Sequence, residues 1–150
     1  MIFYPEDLDL DPSDIEQLTK RDPDSWSGLT IKESGQTCTV LNSKHPKSRQ
    51  SHTLMHELSH IILKHVPSRV DIADGGILLL SDFSKEQEEE ADCLSGSLLL
   101  PRPLLLRLRG SGKSVSEIAQ EHDVSTQLCQ WRVRMTGVDY QLGKSRPRHR

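Results

Sequence analysis

The stretch "HTLMHELSHIILKHV", residues 52–66, constrains this chain more than any other. Leu54, Leu58, Ile61 and Ile62 recur at helical spacing, which predicts an amphipathic helix over residues 53–65. Each helical residue advances about 100°, so His56 and His60 lie about 40° and one turn apart and can aim both imidazoles at one ion. Glu57 sits beside them. In an H-E-x-x-H zinc site the two His are neutral nitrogen ligands and the Glu is placed to take a proton from water at the ion. The competing reading is a core helix that happens to carry histidines. With 7 His in 150 residues, the pattern arises by accident in about 2% of shuffled chains. A catalytic zinc also needs a third protein ligand, so the rest of the chain must supply one.

"EQEEEADCLSGSLLLP", residues 86–101, places Glu88 and Asp92 at i and i+4 on one helical face. Ala91, between them, lets this helix approach the first closely. Glu88 can then reach the ion, and Asp92 can accept the free N–H of a ligand His. The bland alternative is a solvated acidic helix start favoured by the helix dipole. The pattern in which a third His follows H-E-x-x-H beyond a Gly bend is not met, because those positions hold Val66 and Leu63. His65 lies about 180° around a continuing helix from His56 and is rejected as a ligand. His52 shares the face of His56 only if the helix starts early, and its polar neighbours argue against that. His45 and His122 read as surface histidines.

Asp11, Pro12 and Ser13 start a short helix over residues 13–20, ahead of Pro23. "GLTIKESGQTCTVLN" reads as a two-stranded hairpin with a Gly-containing turn, and its strand over residues 37–42 offers an edge for an extended substrate. Residues 43–51 read as a polar loop and residues 67–76 as irregular. "ILLL", residues 77–80, is a candidate buried strand. Ser84 begins a second helix running toward Leu100, ended or kinked by Pro101 and Pro103.

Residues 1–100 carry 9 Lys+Arg against 18 Asp+Glu, and residues 101–150 carry 10 against 4, giving −9 and +6. The basic end suits nucleic acid or an acidic partner, or is simply a solvated helix and tail. Its "SVSEIAQEHDVSTQLCQWRVRMTG" resembles a helix-turn-helix whose second helix would expose Gln127, Gln130, Arg132 and Arg134 toward DNA. The alternative there is a helical hairpin packed on the rest of the protein. Cys38, Cys93 and Cys129 form no C-x-x-C pair, which argues for buried free thiols over disulfides or a cysteine metal site. The longest aliphatic runs fall far short of the roughly 20 residues of a membrane span, and the acidic N-terminus does not read as a secretory signal. A cytoplasmic location without membrane contact is expected.

Over residues 29–137 the chain resembles the ImmA/IrrE metallopeptidases, a gluzincin-like family. The resemblance is carried by Arg49 and Thr53 ahead of H-E-x-x-H, by Glu88, Ala91 and Asp92, and by Leu98, Leu99, Leu100 and Pro101. Ser59 stands where the family often has Gly, and Leu94 and Ser95 where it often has Phe-Ala. The resemblance implies an α+β fold: a small zincin-like domain (1–104) with a short antiparallel sheet, a helix-turn-helix-like segment (105–138) and a basic, disordered tail (139–150). It also implies Zn²⁺ held by His56, His60 and Glu88, with Glu57 as the catalytic carboxylate. Glu90 is often acidic in the family too, and Glu88 is preferred for its i+4 relation to Asp92. The implied activity is limited proteolysis of a helix-turn-helix transcriptional repressor. Two alternatives keep the zinc structural: a DNA-binding regulator, or a module that captures the repressor without cutting it. No oxyanion donor stands out among Tyr4, Tyr140 and His122.

Overall fold

In the computed structural model, which describes residues 1–21, 24–33, 35–67, 69–72 and 78–143, five strands form one sheet. They are β1 (Ile2–Phe3), β2 (Gly28–Glu33), β3 (Gln36–Leu41), β4 (Arg69–Ile72) and β5 (Leu78–Ser81), in the order β1-β3-β2-β5-β4. The expected hairpin is β2 and β3, paired antiparallel from Gly28↔Leu41 to Glu33↔Gln36. β1 runs parallel to β3, pairing Ile2 with Thr39 and Phe3 with Val40. The sheet is therefore mixed. It also means that β3 is flanked on both sides and is no free edge, contrary to the sequence expectation. Residues 67–76 were expected to be irregular, yet β4 forms there by pairing with β5 from Arg69↔Ser81 to Ile72↔Leu78. β5 in turn pairs with β2, and Ile77 lies outside the described residues.

The helices before and after the hairpin follow from local chemistry. Asp11 caps α1 (Pro12–Glu16) by accepting from Ser13 N at 2.8 Å, and a π-turn over Gln17–Arg21 continues it. α2 (Lys47–Leu63) begins directly after Pro46, earlier than its apolar spacing suggested. The polar residues that read as loop are its first turns. Gln50 is buried there, accepting from Tyr4 Oη at 3.2 Å and donating to His45 O at 2.7 Å. α2 packs on β2 and β3. At Gly28 the approach is so close that an added Cβ would sit 2.6 Å from Thr53 Cγ2.

α3 (Lys85–Leu99) opens with a reciprocal cap, Ser84 N donating to Gln87 Oε1 at 3.1 Å and Gln87 N to Ser84 Oγ at 3.3 Å. The chain packs as two units, Met1–Ser95 and Gly96–Arg150, with the division within α3. Leu100, Leu105 and Leu108 draw it there by burying themselves with Ile118, Cys129, Val133 and Val138 in the second core. That core joins α4 (Arg102–Gly110), α5 (Val115–Glu121), α6 (Thr126–Thr136) and α7 (Val138–Gln141). Pro101 and Pro103 sit at the start of α4, where a missing N–H costs nothing. α5 has a Ser114–Glu117 capping box, and Ser125 accepts from Leu128 N to cap α6. Residues 139–141 of the expected tail belong to α7, where Arg109 grips the Asp139 carboxylate through Nε at 2.7 Å and Nη2 at 2.9 Å. Residues 144–150 of the expected tail lie outside the described residues. Of the cysteines only Cys129 is buried, with Cys38 half-buried and Cys93 exposed.

Replacing Gly28 by Ala should lower stability by about 1–3 kcal/mol through overpacking against α2. Thr53→Ser, which lacks Cγ2, should recover part of that loss in the double variant, as read from denaturant midpoints. No loss in Gly28→Ala would mean that the helix is not seated this tightly.

Candidate metal centre

α2 supplies two imidazoles to one point. His56 Nε2 and His60 Nε2 lie 3.1 Å apart, as the one-turn spacing requires. α3 brings a carboxylate to the same place: Glu88 Oε2 is 3.1 Å from His56 Nε2 and Oε1 is 3.7 Å from His60 Nε2. Ligand atoms about 2.0–2.1 Å from a tetrahedral ion stand about 3.3 Å from one another. The three separations bracket that value, and all three donor groups lie within 4.8 Å of one another. Two imidazole nitrogens and one carboxylate, with Glu88 still 44% exposed, make a donor set open on one side. That suits a divalent ion of the zinc type.

Asp92 orients the His56 ring. Its Oδ1 lies 3.0 Å from His56 Nδ1. An ionised carboxylate only accepts, so Nδ1 carries the proton and Nε2 presents its lone pair inward. His60 is held differently, with its ring stacked on Phe83 at 3.8 Å between centroids and 26° between planes. Its pKa is pushed down to about 4, first by burial and then by His56 and His65, with Asp92 pulling weakly the other way. The ring therefore stays neutral, which is the form a metal accepts.

Glu57 occupies the adjoining wall. Thr30 Oγ1 on β2 donates to Glu57 Oε2 at 2.5 Å, and Thr30 is buried. Both residues line a cleft of about 260 Å³ together with His60, Ile61, Lys64 and Phe83. No sequence signal singled out Thr30 or Phe83, because the hairpin register and a loop residue before α3 deliver them.

The remaining histidines divide. His52 does lie inside α2, since the helix starts early, but it is not among the converging ligand atoms. Its pKa is lowered, chiefly by burial, against a raising pull from Asp92. His45 is buried, not a surface residue, and His122 is half-buried. His122 and Tyr140 belong to the second unit, while Tyr4 Oη is engaged by Gln50. His65 contacts the site from outside: its Nδ1 lies 3.0 Å from His60 Nδ1 and its Nε2 3.0 Å from Glu90 Oε2. Glu90 thus faces His65, and Glu88 faces the paired imidazoles.

On α6, Gln127, Gln130 and Arg134 are exposed. Arg132 is not. It is 6% exposed and its Nε donates to Leu100 O at 3.3 Å, because α6 must turn that face onto the second core.

The model of the IrrE N-terminal-like domain, peptidase family M78, matches residues 15–134. The chain belongs to this family. The match takes in both α2 and α3, so the IrrE-like region contains every residue of the His56, His60 and Glu88 cluster. No curated protein and no solved structure matches the chain. As a member of a metallopeptidase family, this IrrE-like chain carries a candidate metal site of the matching chemistry. Among the described residues no helix is long and apolar enough to cross a membrane.

Asp92→Ala should weaken divalent-metal binding about 10- to 100-fold, measured by chelator competition, with little change in the melting of the metal-free protein. Unchanged affinity would remove Asp92 from the site.

Proposed function

We infer that this chain is a zinc-dependent endopeptidase that makes limited cuts in a protein substrate, a helix-turn-helix transcriptional repressor in the cytoplasm. The reading is carried by one observation: two imidazole nitrogens and a carboxylate converge beside a cleft whose wall includes a carboxylate, Glu57, tethered by Thr30. His56, His60 and Glu88 would hold the ion. When bound, zinc supplies Lewis acidity, which acidifies water and polarises an amide carbonyl.

The chain's own groups do the rest. Thr30 holds Glu57 Oε2, leaving Oε1 to take the proton of a water in the cleft. The water oxygen bonds to the carbonyl carbon, the C–N bond breaks, and Glu57 passes the proton to the departing amine. Atoms and charge balance over the cycle, and Glu57 returns to its ionised form. His60, kept neutral by burial, and His56, oriented by Asp92, need not move between steps. Preorganisation of this kind lowers the reorganisation cost of the reaction.

A second reading, a DNA-binding regulator, is favoured by the exposure of Gln127, Gln130 and Arg134 on α6. The inward turn of Arg132 weakens it, since one of its four proposed contacts is engaged with Leu100 O. Salt-dependent DNA binding without proteolysis would support this regulator.

Glu57→Gln should keep its metal and lose about 10²- to 10⁴-fold in cleavage rate. The assay is incubation of the zinc-loaded protein with a helix-turn-helix repressor encoded beside it, with fragments identified by mass spectrometry. Equal turnover in Glu57→Gln would exclude Glu57 as the proton carrier. Binding of an intact repressor by both forms would favour capture without cleavage.

A further inference from the structure

The end of α2 carries a device that the H-E-x-x-H pattern does not contain. The helix stops at Leu63, and Lys64 adopts φ 58° and ψ 38°, a left-handed conformation unfavourable for a residue with a side chain. The chain reverses there, and His65 N donates back to His60 O at 3.0 Å. The reversal brings the His65 ring against the outer edge of the His60 ring, with centroids 5.0 Å apart and planes 73° apart. The His65 side chain is 6% exposed. Its Nε2 meets Glu90 Oε2 at 3.0 Å and its Nδ1 meets His60 Nδ1 at 3.0 Å.

Proton placement along this line follows from its carboxylate end when both imidazoles are neutral. A carboxylate only accepts, so His65 Nε2 carries the proton shared with Glu90. A neutral His65 then has a bare Nδ1, which accepts from His60. His60 Nδ1 must therefore carry its proton, and a neutral His60 is left with a bare Nε2. That Nε2 is the atom directed at His56 and Glu88.

We propose that His65 and Glu90 are positioning residues that fix the tautomer of His60 through a three-member hydrogen-bond relay, presenting its Nε2 lone pair to the metal. The proposal deepens the metallopeptidase reading and rests on His60 being a ligand. It gives each histidine ligand its own outer carboxylate: Asp92 acts on His56 directly, and Glu90 acts on His60 through His65. Metal sites commonly use such outer partners, and their loss costs about 10- to 100-fold in metal affinity.

The test uses the full chain with ¹⁵N-labelled histidine, free of metal, at a pH well above the histidine range. Long-range ¹H–¹⁵N correlation reports which nitrogen of His60 bears the proton, and zinc affinity is read separately by chelator competition. Wild type should show a single His60 Nδ1–H tautomer. His65→Ala should mix the two tautomers and weaken zinc about 10- to 100-fold. Glu90→Ala should move both readouts in the same direction by less, and Glu90→Gln, whose amide oxygen still accepts, should stay near wild type. Glu90 is exposed on α3, so its variants test the relay even if His65→Ala folds poorly. A proton on Nε2 of His60 in wild type would overturn the proposal. So would tautomer and affinity that are unchanged in both alanine variants. A tautomer that responds in a protein that takes up no zinc would sustain the relay while removing the metallopeptidase reading.

Discussion

Hydrogen-bond acceptors crowded together without a proton between them repel, and this protein aims three at one point. His56 Nε2, made bare by Asp92 on its other nitrogen, faces His60 Nε2 at 3.1 Å, and the Glu88 carboxylate stands 3.1 Å from the first and 3.7 Å from the second. A divalent ion would relieve such an arrangement better than a proton because it would serve all three acceptors at once. Asp92 on one side and, in the proposed relay, His65 and Glu90 on the other would set the tautomers that leave these nitrogens open to a metal.

The fold supplies the rigidity that this requires. α2 is seated on β2 and β3, with Gly28 admitting Thr53 so closely that an added Cβ would have to displace its Cγ2. The same strand carries Thr30, so a single register places both the seat of the helix and the tether of Glu57. α3, started by the Ser84–Gln87 cap, then offers Glu88 and Asp92 one turn apart and Glu90 between them. Two helices and one strand therefore contribute His56, His60, Glu88, Glu57, Asp92 and Thr30, while Phe83 and His65 come from the chain just outside the helices. The second unit keeps its own core, in which the buried Arg132 and the Arg109–Asp139 pair show its basic residues partly spent on structure.

Much of this was readable in the sequence because helical spacing is a strong geometric rule. It brings His56 and His60 together, places Glu57 beside them, and relates Glu88 to Asp92. The Gly35 turn between β-branched runs likewise announces β2 and β3. What escaped depends on partners distant in the chain. Lys47 to Ser51 look like loop until Tyr4 and the His45 carbonyl occupy Gln50. β4 exists because β5 pairs with it, and β3 loses its free edge because β1 pairs there. Arg132 was assigned to solvent on charge, yet α6 needs that face for packing. His65, rejected as a ligand, is not among the converging ligand atoms, but its contact with His60 escaped because a left-handed Lys64 turns the chain back there. Helical periodicity cannot foresee where a helix stops when the stopping residue is not glycine.

The most direct measurement is anomalous diffraction from crystals of the zinc-loaded protein, collected on both sides of the zinc absorption edge. The account predicts one peak per chain, about 2.0–2.2 Å from His56 Nε2, His60 Nε2 and a Glu88 oxygen, with His65 and Glu90 outside bonding distance. A peak bound by His65 or Glu90, or no peak with His56 and His60 sharing a proton, would contradict it.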